Sequence, residues 1–384
     1  MRPRSSAWSR ASPASAVYLG SGRQPGAGRL RMNEGRENLA WLDLLRVAAA
    51  LAVVVVHVSA APVVYLPDLT SLERHAANLL DSLSRWCIGV FIMVSGALLL
   101  DPERRESVPG FFRKRVRRIL VPILFWSAAY FALTLALGRP LTPTKALQLL
   151  WEGRPWYHMW YLFMVIGLYA VTPILRSYVA RSGTELRWGV TILALVLTSL
   201  WDLRLAIDEE HLPATVATMF VPYLGYYMLG YELRRLAPIA VSSDLLWLGF
   251  GVGAIATIVG SQQLMSAYGA SRPGLYMYEY LSPNVILMSA ALFCLASRTG
   301  SGLGHGGGRG AFIARWVAGV APLTLGIYLW HPMLIVAFRK LGLTAIGFEN
   351  GLGVVLVVVP VFALSLLLTW LMSRIPILRA AVGL

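Results

Sequence analysis

Asp43, Arg46 and His57 stand in the otherwise apolar stretch WLDLLRVAAALAVVVVHVSA, residues 41–60, where a plain membrane anchor carries no ionisable group. Arg46 and His57 are eleven residues apart, close to three helical turns, so they share one helix face with about 16 Å of rise between them. Asp43 lies three residues before Arg46 and joins that face, where an (i, i+3) ion pair lowers the cost of both charges. An ionisable group inside a span is costly and marks a cavity or a pathway. Histidine, with an ordinary pKa near neutrality, suits the removal of a proton from a hydroxyl. The bland alternative is that Asp43 and Arg46 reach back to headgroups while His57 packs between helices.

Three further groups could serve the same chemistry. FFRKRVRRILVP (111–122) holds Arg113, Lys114, Arg115, Arg117 and Arg118. Guanidinium groups suit bidentate phosphate binding, and helical (i, i+3) spacing puts Arg115 and Arg118 on one face; a positive loop that only sets orientation is the competing reading. In WEGRPWYHMWY (151–161), Trp156, Tyr157, His158 and Trp160 could stack on a sugar ring or form an interfacial aromatic belt. His331 precedes Pro332 in YLWHPM, which suits either a funnel lining or a kink. The six histidines are scattered, with no H-E-x-x-H and no paired cysteines, so no metal site is expected.

The elements that must position these residues are transmembrane helices. Hydrophobic residues make up 57% of the 384 and charged residues 14%, against about 25% charged in a soluble domain, and the mean hydropathy is +0.62. Apolar runs predict ten spans near 39–61, 85–100, 119–137, 157–174, 188–203, 215–233, 244–262, 283–298, 316–338 and 351–373. With the N-terminus inside, 24 of the 34 Lys and Arg fall on inside segments and 9 outside, which predicts two cytoplasmic termini. The net charge of +15 is therefore a matter of topology, and no nucleic-acid partner is expected. Residues 1–37 read as a disordered basic tail for which Met32 offers an alternative start, residues 38–375 as one transmembrane domain, and residues 376–384 as a short cytoplasmic tail.

The Arg46-to-His57 spacing, GVFIMVSGALLL (89–100), FFRKRVRRILVP, WYLFMVIGLYAVTPILR (160–176), GYYMLGYEL (225–233) and LGIYLWHPML (325–334), taken in that order, resemble the membrane-bound acyltransferase 3 family. Its members are O-acyltransferases of bacterial surface polysaccharides. The resemblance covers roughly residues 38–375. It implies an all-α polytopic fold of about ten helices around a central funnel, in the bacterial inner membrane. It further implies transfer of an acetyl or other short acyl group from acetyl-CoA, a co-substrate rather than a resident cofactor, to a hydroxyl of a glycan or lipid-linked sugar. On this reading His57 is the catalytic residue, Arg46 completes its signature, Arg115 and Arg118 match the family's Arg-x-x-Arg motif at the acyl-CoA site, and Asp43 and His331 support them. Trp156, Tyr157, His158 and Trp160 are the acceptor-side candidates. A polysaccharide-precursor transporter or flippase is the competing function, since a central histidine also suits proton coupling.

Overall fold

Alanine- and valine-rich sequence between Asp43 and Tyr65 makes a 26-residue helix, α1 (Ala40–Tyr65), in which Pro62 is the only interior proline. A chain of this length rises about 39 Å, enough to cross a bilayer. The computed structural model describes residues 40–104, 106–209, 215–236, 241–303, 309–348 and 351–384. The basic tail expected over 1–37, with Met32, lies outside them.

The described elements after α1 are α2 (Leu72–Ser82), α3 (Cys87–Leu99), α4 (Val108–Arg115), a π turn (Val116–Leu120), α5 (Val121–Ala136), α6 (Pro143–Trp151), α7 (Trp160–Arg181), α8 (Thr184–Ile207) and α9 (Leu224–Arg235). There follow α10 (Ser243–Tyr268), α11 (Pro283–Leu303), α12 (Arg309–Val320), α13 (Thr324–Lys340), α14 (Gly353–Arg374) and the short α15 (Pro376–Arg379). Among the described residues, nine helical stretches are long and apolar enough to cross a membrane, and the fold is all-α and polytopic. Side-chain burial separates the centre from the rim. The apolar windows of α1 and of Leu72–Leu99 are 61% and 72% buried, whereas that of α10 is 17% buried and presents Leu248, Val252, Ile255 and Val259 outward.

The segment expected to span over 215–233 is built differently. Its helix α9 has 12 residues, about 18 Å of rise, and follows a 3-10 turn at Val221–Tyr223 that Pro222 opens. The apolarity of this segment comes largely from tyrosines that bury themselves in protein. The Tyr226 hydroxyl donates to the Tyr280 carbonyl at 2.8 Å, and the Tyr227 and Thr172 hydroxyls are 2.8 Å apart. Two glycines seat α9 against α3: a Cβ added at Gly96 would collide with the Tyr227 carbonyl, and one at Gly230 with the Met93 carbonyl. Small residues that let two backbones approach this closely are the usual device of membrane helix packing. Residues 376–384 fold back, so that Ala381 and Val382 are buried and the Trp126 indole donates to the Ala381 carbonyl at 3.0 Å.

Candidate active site

A cavity of about 600 Å³ opens at the end of α1 that carries Arg46. Five cations line its mouth: Arg46 from α1, Arg104, Lys114 and Arg115 from α4, and Arg118 from the π turn. Asp43 and Glu106 accompany them. The Arg46–Asp43 ion pair expected from spacing forms at 2.8 Å. Arg115 and Arg118 both reach the cavity although a π turn separates them; such turns commonly realign side chains at functional sites. Arg113 and Arg117 do not line it, so one basic run is divided between a site and an exposed face.

The residues of the mouth make contacts that spacing does not reveal. Two guanidinium groups pack on the buried Phe111 ring, Arg115 at 4.7 Å and Arg176 at 4.9 Å from its centroid. Arg176 donates to the Leu99 carbonyl at 2.5 Å. Lys114 pairs with Glu106 at 2.9 Å, and that hydrogen bond, reinforced by the charges of Arg115 and Arg176, holds the Glu106 carboxyl below the usual carboxylate range against the opposing effect of burial.

Beyond the cations the walls turn apolar, with Val94, Leu98, Leu162 and Val165, and the cavity ends at Phe91, Tyr161 and Tyr328. Tyr328 is 5% exposed, and its hydroxyl donates to the His158 carbonyl. This ring lines the cavity and also touches two imidazoles, and a third joins them, from three separate parts of the chain: His158 just before α7, His331 of α13, and His57 of α1.

His57 and His331 are stacked with centroids 5.1 Å apart and planes inclined by 21°. His158 meets His331 edge-on at 5.4 Å. Tyr328 contacts His158 at 5.1 Å and His331 at 5.8 Å, while Tyr157 packs edge-on against His57 at 4.9 Å. Tyr130 stacks on Trp156 at 5.1 Å and donates to the Leu329 carbonyl of α13 at 2.7 Å.

His158 and His331 are 1% and 0% exposed, yet neither ring makes a hydrogen bond through either nitrogen, and the Trp156 indole N–H is likewise buried without an acceptor. A buried polar group left unpaired costs about 1–3 kcal/mol, so such atoms gathered in one place indicate a site shaped for a polar guest. Of the acceptor-side candidates, Trp156, Tyr157 and His158 thus join His57. Trp160 does not: it packs on Tyr223 and Tyr280 at 5.6 and 6.0 Å. Among the described residues no three His, Cys, Asp or Glu side chains are placed to hold a metal ion.

The family model described as an acyltransferase domain, acyltransferase 3, matches residues 39–374. The chain belongs to the acyltransferase 3 family. It is therefore a multi-pass membrane acyltransferase, and the matched range takes in the cationic mouth, the Tyr161–Tyr328 ceiling and all three histidines. No curated protein and no solved structure matches the chain.

The sequence did not single out Glu106, Phe111, Arg176, Tyr161 or Tyr328 as parts of this acyltransferase site. Only Tyr328 carried a usable signal, being three residues before His331 on the same helix face.

Proposed function

We propose that this acyltransferase moves an acetyl or other short acyl group from acyl-CoA to a hydroxyl of a cell-surface glycan or lipid-linked sugar in the bacterial inner membrane. The observation that carries the reading is the alignment of a cation-ringed cavity, an apolar shaft and a histidine chamber along α1. The diphosphate and ribose phosphate of acetyl-CoA match the cations Arg46, Lys114, Arg115 and Arg118, guanidinium groups binding phosphate with particular strength. The extended pantetheine arm suits the apolar shaft, which carries the thioester toward Tyr328. In the chamber beyond, neutral His57 takes the proton of the acceptor hydroxyl as its oxygen attacks the thioester carbonyl, a general-base role that contributes on the order of 10²–10⁴-fold. The buried Trp156 N–H and the His158 ring are unpaired polar groups that an acceptor sugar would satisfy. Positive charge at the cavity mouth favours a cytoplasmic position for the donor side.

The test is transfer of radiolabel from acetyl-CoA into the glycan and glycolipid fraction of permeabilised membranes, with wild type, His57→Ala and Arg115→Ala compared at equal membrane abundance. Labelling by wild type and failure of both variants is the expected result, and the labelled fraction then identifies the acceptor. Equal labelling by wild type and His57→Ala refutes the base. Labelling from succinyl-CoA but not acetyl-CoA reassigns the acyl group. A phenotype that vanishes once the membrane barrier is removed, with no acyl transfer, favours a transporter.

A further inference from the structure

General-base transfer needs a second proton movement: His57 takes a proton from the acceptor, and the departing coenzyme A sulfur must receive one. Neither His57 nor His331 lines the shaft, but Tyr328 does. His331 touches both His57 and Tyr328: it stacks on His57 at 5.1 Å and lies 5.8 Å from Tyr328, three residues away on one face of α13.

Its surroundings suit it to carry a proton. His331 is fully buried, and both ring nitrogens are without a hydrogen-bond partner, so neither is committed to the scaffold. In the neutral ring one nitrogen accepts a proton and the other releases one. Pro332 immediately follows and has no N–H, so the Tyr328 carbonyl four residues before it loses its usual helical donor; that carbonyl and the Ile327 carbonyl both interact with the His331 ring, orienting it without a full hydrogen bond to either nitrogen.

Resting on the transferase reading, we propose that His331 is a proton-transfer residue, returning to the coenzyme A sulfur the proton that His57 takes from the acceptor. The acceptor O–H bond breaks and its proton passes to His57 as the oxygen bonds to the acyl carbon. Collapse of the adduct breaks the C–S bond, with the electron pair leaving on sulfur. The proton passes from His57 through one water to the free nitrogen of His331; the opposite N–H protonates the thiolate. Both imidazoles end neutral, and the products are an O-acyl ester and the free thiol, so no other reactant is needed.

His331→Gln keeps much of the volume and a hydrogen-bonding group but cannot relay a proton, and His331→Ala leaves a space that free imidazole can enter. Both are assayed as full-length protein in permeabilised membranes with radiolabelled acetyl-CoA, beside His57→Ala. The expected result is a fall in kcat of about 100-fold in both His331 variants with KM for acetyl-CoA essentially unchanged, and recovery of about tenfold by imidazole in His331→Ala alone. Solvent deuterium should slow His331→Gln more than wild type, since the final proton then comes from water. If His57→Ala is inactive while His331→Gln turns over like wild type, the relay is wrong and the transferase reading stands. An inactive His331→Ala that binds acetyl-CoA normally but ignores imidazole also overturns it. If wild type itself transfers no label, or His57→Ala matches it, the transferase reading fails and the relay with it.

Discussion

At the scale of the residue, the cations of the cavity mouth are not equivalent. Lys114 is held by Glu106 at 2.9 Å, so a phosphate arriving there must compete with a carboxylate already in place. Because the Glu106 pKa is depressed in the folded protein, its contribution to folding is present above the unfolded carboxylate value and is lost as pH falls through the lower folded one. At neutral pH it is ionised and opposes an anionic donor. Glu106→Gln should therefore lower KM for acetyl-CoA by several-fold with little change in kcat, and should do so less at high salt, where all these charges are screened. An unchanged or higher KM would mean that Glu106 orders Lys114 for the donor instead of competing with it. Much of this site was legible from spacing. Arg46 and His57 declare themselves by being ionisable, eleven residues apart and inside an apolar run, and the Asp43 pair follows from an interval of three. The partners Phe111, Arg176 and Tyr161 were not legible, because cation–π contacts and shared walls join residues far apart in sequence and leave no local pattern.

At the scale of the element, the π turn at Val116–Leu120 decides which face of the basic run enters the cavity. The i, i+3 argument for Arg115 and Arg118 assumed a continuous α-helix; the wider turn intervenes, yet both side chains reach the cavity. Deleting Val116, which is half-exposed and outside the site, removes the extra residue that the wider turn accommodates and leaves α4 and α5 nearly in their present phase, whereas inserting one alanine after Val116 turns α4 by about 100° relative to α5. Lys114 and Arg115 would swing away from the mouth in the insertion variant alone. Hydrogen bonds to charged groups contribute about 1.5–3 kcal/mol each, so the insertion should raise KM for acetyl-CoA by at least about tenfold while the deletion leaves it nearly unchanged; donor binding to purified protein in detergent checks this. Normal affinity in the insertion variant would show that the phase of α4 does not set the site. The ten-span expectation missed α9 for a related reason. Hydropathy registers that 215–233 is apolar, but not that its tyrosines hydrogen-bond inside the protein or that Pro222 starts the helix late, so that among the described residues this segment holds a 12-residue helix docked on α3 in place of one long helix.

At the scale of the whole molecule, burial places α1 and α2–α3 at the centre and leaves α10 facing outward, so the helix carrying Arg46 and His57 is the axis around which the others assemble. That arrangement was implicit in the apolar, all-α composition. The meeting of His57, His158 and His331 was not, because three separate segments supply them. The ring of Tyr328 has a consequence for fidelity. With its hydroxyl fixed to the His158 carbonyl, it borders the open cavity and touches His331, on which the proposed base His57 stacks; such a base would activate water as readily as a sugar hydroxyl. An acyltransferase built this way should release little coenzyme A in the absence of acceptor. Tyr328→Ala should raise acceptor-independent thiol release from acetyl-CoA, measured in detergent-solubilised protein, well above that of wild type, and an unchanged rate would assign the barrier elsewhere. On the function proposed above, one aromatic ring then sets whether the acyl group reaches the acceptor or is lost to water, and with it how much activated acyl donor the membrane can hold in readiness without draining it.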